Sequence, residues 1–138
     1  MNKHTLAELL AQRWAEAVAA FPPLKTLQTG WVFGESLHFT SPRGYAVSVF
    51  DGPVCYLKFA LKILDAPLHR VDAIVRHEIG HLVDFSGLIE LPPSLPTTPE
   101  RRADSIAELI WGQTIKYDAE FVQTLEEGTN PRPEHLGL

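Results

Sequence analysis

The sequence predicts a single α+β domain over residues 1–138, with a small, mostly antiparallel sheet packed on a central helix. Three observations carry that prediction. Three segments repeat apolar residues at steps of three and four, as helices with one buried face do. Between the first two of them lies a stretch that alternates apolar and polar residues, as half-buried strands do. The 138 residues, 45% of them apolar and 21% charged, suffice for one hydrophobic core and are too few for two.

The first segment, Lys3 to Phe21, lines up Leu6, Leu10, Trp14, Ala17, Val18 and Phe21 on one face, and Thr5 with Glu8 three residues later reads as a capping box. Pro22-Pro23 ends it, because proline has no amide hydrogen to donate and its ring clashes with the preceding turn. This helix is expected to pack over one side of the site. Between Trp31 and Phe50, Gly34, Ser41-Pro42 and Gly44 punctuate Ser36–Thr40 and Tyr45–Phe50, which read as a small antiparallel hairpin. After a turn at Asp51-Gly52-Pro53, Cys55, Leu57, Phe59, Leu61 and Ile63 alternate with Tyr56, Lys58, Ala60 and Lys62. That is the pattern of a strand with one buried face, whose solvated face carries Lys58 and Lys62, although the same residues also suit a helix.

The second helix begins near Asp65-Ala66-Pro67, with Asp65 as cap and proline in the first turn. It runs through Val71, Ile74, Val75, Ile79, Leu82 and Phe85 and stops at Ser86-Gly87. Leu88 to Thr97 holds Pro92, Pro93 and Pro96 and reads as a stiff loop. Thr98-Pro99-Glu100 opens a third helix through Ile106, Ala107, Ile110 and Trp111 toward Tyr117, with Ile110 and Trp111 packing behind the site. From Gly128 to Leu138 the composition is that of a loop or tail.

Charge and cysteine usage exclude several classes of function. Twelve Lys and Arg against 17 Asp and Glu give a formal charge of −5, and the basic residues are scattered, so a nucleic-acid partner is not expected. No stretch reaches the roughly 18 apolar residues that span a bilayer, and Met1-Asn2-Lys3-His4 does not lead into an apolar signal segment. The expected location is therefore the cytoplasm, away from membranes, while secretion is also compatible with the chain. A lone cysteine, Cys55, allows no intramolecular disulfide and no multi-cysteine metal site.

The chemistry lies in the second helix, as His77-Glu78-Ile79-Gly80-His81. A chain with this many His and Glu residues would show H-E-x-x-H about 0.02 times by chance, so the spacing is informative. Histidines four apart share one helix face with Cβ atoms about 6 Å apart, and both rings can then reach one Zn²⁺ at roughly 2.0–2.1 Å. Glu78 can reach the solvent side of such an ion, where a carboxylate takes the proton of an attacking water. A catalytic zinc site needs a third protein ligand and one open position. The metzincin extension of the motif is excluded, because Asp84 stands at its glycine position and Gly87 at its third histidine. His4, His38, His69 and His135 lack a matching local pattern. The best-placed candidate is Glu100, 19 positions after His81 at the start of the third helix, with Asp104 one turn on. Glu108, on the same face one turn beyond Asp104, is its rival.

The pair H-E-I-G-H and E-R-R-A-D resembles the gluzincin metallopeptidases, in which one helix carries H-E-x-x-H and a second carries E-x-x-A-D. The resemblance spans about Asp65 to Trp111, roughly a third of the chain. It implies a zincin-like fold, one Zn²⁺ per chain, His77, His81 and Glu100 as its ligands, and Glu78 as catalytic base. It further implies that Asp104 orients His77 or His81, and it favours Glu100 over Glu108. In size the chain is similar to the minigluzincins and to the catalytic domain of ImmA/IrrE-type metallopeptidases, which cleave transcriptional repressors, but no helix-turn-helix or sensor segment favours the second. The function expected is zinc-dependent hydrolysis of a peptide or protein substrate. Such a substrate would lie as an added strand along a free sheet edge, with Tyr117 or His135 as candidate donors to the oxyanion. The alternatives are a latent or inactive zinc-binding module whose segment Gly128–Leu138 covers the cleft, and a metal-free interaction domain.

Overall fold

The computed structural model describes residues 1–34, 46–51 and 54–112. It contains helix α1 (Lys3–Ala20), strands β1 (Gln28–Gly34), β2 (Ala46–Asp51) and β3 (Val54–Ala60), and helices α2 (Leu68–Ser86) and α3 (Pro99–Trp111). Short 3-10 turns at Pro22–Thr26 and Leu61–Asp65 lead into β1 and α2.

Each helix ends where local chemistry dictates. Asn2 caps α1, its Oδ1 accepting from the Thr5 amide at 2.8 Å and the Thr5 hydroxyl at 3.0 Å, so Thr5 acts as a donor inside the helix and not as the expected cap. At α2 the N-cap position falls to Pro67, without a side-chain bond, while Asp65 sits in the preceding 3-10 turn and does not cap. The reason is Ala66. A residue before proline is pushed to extended backbone, and Ala66 has φ −79° and ψ 153°, so the helix starts only beyond the proline. Gly87 and Gly112, at φ 68° and 69°, close α2 and α3 in the left-handed conformation that glycine adopts without penalty. The third helix thus stops at Trp111, short of Tyr117, which lies outside the described residues together with Gly128–Leu138.

The α+β class holds, but the sheet is mixed and not mostly antiparallel. The strand order is β1-β3-β2, with β1 parallel to β3 in the register Trp31 with Leu57, and β2 antiparallel to β3 in the register Ser48 with Leu57. β3 takes the middle because Cys55, Leu57 and Phe59 on one face are 1, 3 and 0% exposed, which leaves the other strands to pair along its two sides. Lys58, expected on a solvated face, is buried at 9% exposure, because a central strand is covered from both flanks. The strand expected at Ser36–Thr40 lies outside the described residues. β1 itself escaped the alternation argument, since Gln28-Thr29-Gly30 carries no apolar signal.

One core joins the layers. Leu6 and Leu10 of α1, Leu57 and Phe59 of β3, Val75, Ile79 and Leu82 of α2, and Ile106 of α3 are buried in a single cluster, and full burial of each such side chain stabilises the fold by about 1.5–3 kcal/mol. Arg13 bridges α1 to α2 through two bonds to Asp72, Nε to Oδ1 at 2.8 Å and Nη2 to Oδ2 at 3.1 Å. The middle of α2 is enclosed by α1, the sheet and α3, so its polar residues there need partners within the protein.

Candidate metal centre

The centre forms where the middle of α2 meets the first two turns of α3. His77 and His81 project from one side of α2, with ring centroids 4.6 Å apart and planes at 89°. Glu100 stands in the first turn of α3, where the helix dipole favours an acidic side chain. One of its carboxylate oxygens lies 2.8 Å from His77 Nε2 and the other 3.2 Å from His81 Nε2. Asp104 takes the other side of the first ring, its Oδ1 2.7 Å from His77 Nδ1. One donor atom from each of His77, Glu78 and His81 lies within 4.8 Å of the others, close enough for the three to hold a metal ion.

His77, Glu78, His81 and Glu100 are 4, 3, 6 and 3% exposed, a depth at which an unpaired charge is not tolerated. His77 solves this by lying between two carboxylates, with each ring nitrogen placed to donate to one of them. Burial alone would lower its pKa, but the bonds to Asp104 and Glu100 and their negative charge hold it well above the ordinary histidine range. Burial pushes the Glu100 carboxyl up, yet the bonds and charge of His77 and His81 outweigh that and keep it far below the usual carboxylate range.

His77, Glu78 and His81 bring two imidazole nitrogens and a carboxylate close enough to hold a metal ion, and the Glu100 carboxylate faces both rings in the same buried space. Asp104 lies against the His77 ring and not that of His81, its Oδ1 placed to accept from His77 Nδ1. His81 is set differently, by its ring stacked on Phe85 at 5.6 Å and 8°, while its buried Nδ1 has no hydrogen bond among the described residues. Glu108, the rival third ligand, is half-buried on α3, and among the described residues its side chain makes no hydrogen bond or ion pair with either histidine. His135 and Tyr117 lie outside the described residues.

Gly80 is the residue whose role the motif alone did not reveal. A methyl group there would overlap the carbonyl oxygen of Ala103 and lie 2.9 Å from its carbonyl carbon. Together with Ala73 and Ala107, which are also buried, this makes a seam of small residues along which α3 runs antiparallel to α2. The signal was present in the sequence as a glycine inside an otherwise strong helix, where it costs about 1 kcal/mol relative to alanine and calls for a packing reason.

These couplings set a pH dependence for protein kept in a chelator. The stability that His77 contributes is complete below its ordinary value of 6.5 and is lost as pH rises through its raised folded value. The Glu100 contribution is complete above 4.5 and is lost as pH falls toward its depressed folded value. Both are whole between pH 4.5 and 6.5, so the thermal midpoint followed by circular dichroism is expected to peak in that window. A midpoint that climbs steadily from acid to mildly alkaline pH would contradict the pairing.

Among the described residues no helix is long and apolar enough to cross a membrane. Compared with protein-family models, curated proteins and solved structures, the chain matches none, so the reading of the centre rests on its own geometry.

Proposed function

We propose that the protein is a zinc-dependent metallopeptidase of the gluzincin type, with His77, His81 and Glu100 holding the ion. The observation that carries this reading is the Glu100 carboxylate, whose two oxygens face the Nε2 atoms of both histidines at 2.8 and 3.2 Å. Bound there, zinc supplies Lewis acidity, bringing the pKa of a water molecule down to about 7 and polarising a carbonyl. Glu78, one residue past His77 and so turned about 100° around α2 from it, takes the proton of the attacking water and hands it to the leaving amine. Asp104 keeps the His77 ring in the tautomer with hydrogen on Nδ1, so that Nε2 serves as the donor. β2 packs beside α2 and is an edge of the sheet among the described strands, the kind of edge along which an extended peptide can add as a further strand.

Elemental analysis of protein purified without added metal is expected to find one zinc per chain. Glu100→Ala should weaken zinc binding by more than the roughly 10–100-fold that loss of an orienting partner costs, and Glu108→Ala should leave it unchanged. The opposite ranking would transfer the ligand role to Glu108, and a wild-type protein that takes up no zinc would remove the proposal.

A further inference from the structure

Beside the centre, α2 and α3 are joined by an ion pair that supplies no donor to it. Arg102 Nη2 donates to Asp84 Oδ1 at 2.8 Å and Nε to Oδ2 at 3.0 Å, while Nη1 reaches the Pro96 carbonyl at 3.4 Å. Asp84 stands three residues beyond His81, with its side chain 9% exposed, and Arg102 stands two residues beyond Glu100. The far end of α3 is tied elsewhere: Trp111 Nε1 donates to Glu16 Oε1 of α1 at 3.0 Å.

We propose that the Arg102–Asp84 pair is a positioning element that sets α3 at the height along α2 where the Glu100 carboxylate spans both imidazoles, and that it thereby sets the affinity of the centre for metal. The proposal rests on the metal-centre reading above and adds a residue pair to it. Glu100 needs such support because it lies in the first turn of its helix, the turn that frays most readily, just after a proline-bearing loop. Asp104 also ties α3 to α2, but through the His77 ring, which belongs to the centre itself. A two-bond guanidinium–carboxylate contact resists both sliding and rotation of one helix on the other. Its hold on the Pro96 carbonyl extends the same grip to the segment that enters α3. The small-residue seam at Gly80 and Ala103 lets the helices come close, but a smooth seam does not choose a register along them.

Co²⁺ titration, read by its visible absorption and beside the thermal midpoint, separates positioning from mere stability. Arg102→Ala is expected to weaken Co²⁺ binding by about tenfold or more and to change the absorption band. Arg102→Lys, which keeps the charge and loses the fork, should show a smaller loss in the same direction. Trp111→Phe, which removes the bond to Glu16 and keeps an aromatic ring, should lower the midpoint and leave affinity and spectrum as in the wild type. Wild-type affinity and spectrum in the Arg102→Ala protein would overturn the proposal, as would an affinity loss in Trp111→Phe equal to that in Arg102→Ala. If Arg102→Ala does not fold, Arg102→Lys decides, and unchanged affinity there overturns the proposal. A wild-type protein that binds no Co²⁺ would instead remove the metal-centre reading on which the proposal stands.

Discussion

Replacing Glu78 by Gln is expected to lower peptide turnover by about 10²–10⁴-fold, the range that a positioned general base supplies, while zinc stays bound. Gln has nearly the same shape, so the change isolates the ability to accept a proton. The fold should tolerate it, because the site is 3% exposed and a neutral amide is easier to bury than a carboxylate. Metal content must be measured beside turnover, for a specific reason. Glu78 has a donor atom within 4.8 Å of those of His77 and His81, so the same geometry admits it as a ligand. Loss of zinc together with turnover would assign it to the metal. Wild-type turnover of a mixed peptide library by the variant would remove Glu78 from the chemistry altogether.

Gly80→Ala should cost about 1–3 kcal/mol through overpacking, even though alanine is the better helix former by about 1 kcal/mol. The clash decides the sign. A methyl at Gly80 meets the backbone of Ala103, and backbone cannot turn aside as a side chain does. α3 must then move away from α2, and Glu100, three residues before Ala103, moves with it. The expected result is a fall of several degrees in the thermal midpoint, each kcal/mol being worth roughly 2–4 °C in a domain of about 150 residues, together with weaker zinc binding. A Gly80→Ala protein as stable as the wild type, with unchanged metal affinity, would show that the two helices do not depend on this contact. The two variants also separate cleanly, because Glu78→Gln should spare affinity and stability while Gly80→Ala should lose both.

The legible part of the sequence was what repeats along one element. The apolar period of three and four placed the first helix over Lys3 to Phe21, one residue beyond the end of α1, and the glycine at Gly87 and the proline at Pro99 marked helix ends within a residue or two. The same period placed His77 and His81 on one face of α2, because four residues are close to one helical turn. Starting points were harder. Thr5 and Asp65 both have the chemistry of caps, but Asn2 stood one turn earlier and Ala66-Pro67 forbade helix at the point where Asp65 would have acted.

By itself, then, the sequence determined the helices, the shared face of the two imidazoles and a short set of acidic candidates to meet them. Only the tertiary structure decided that Glu100 and not Glu108 faces both rings, that Asp104 serves His77 and not His81, that Lys58 is enclosed, and that β1 runs parallel to β3. The physical reason is the same in each case. Side-chain period follows from the local geometry of one element, whereas a contact between residues 19 or more apart depends on how closely and at what height two elements meet. Between α2 and α3 that closeness comes from the missing side chain of Gly80, which has no periodicity to reveal it.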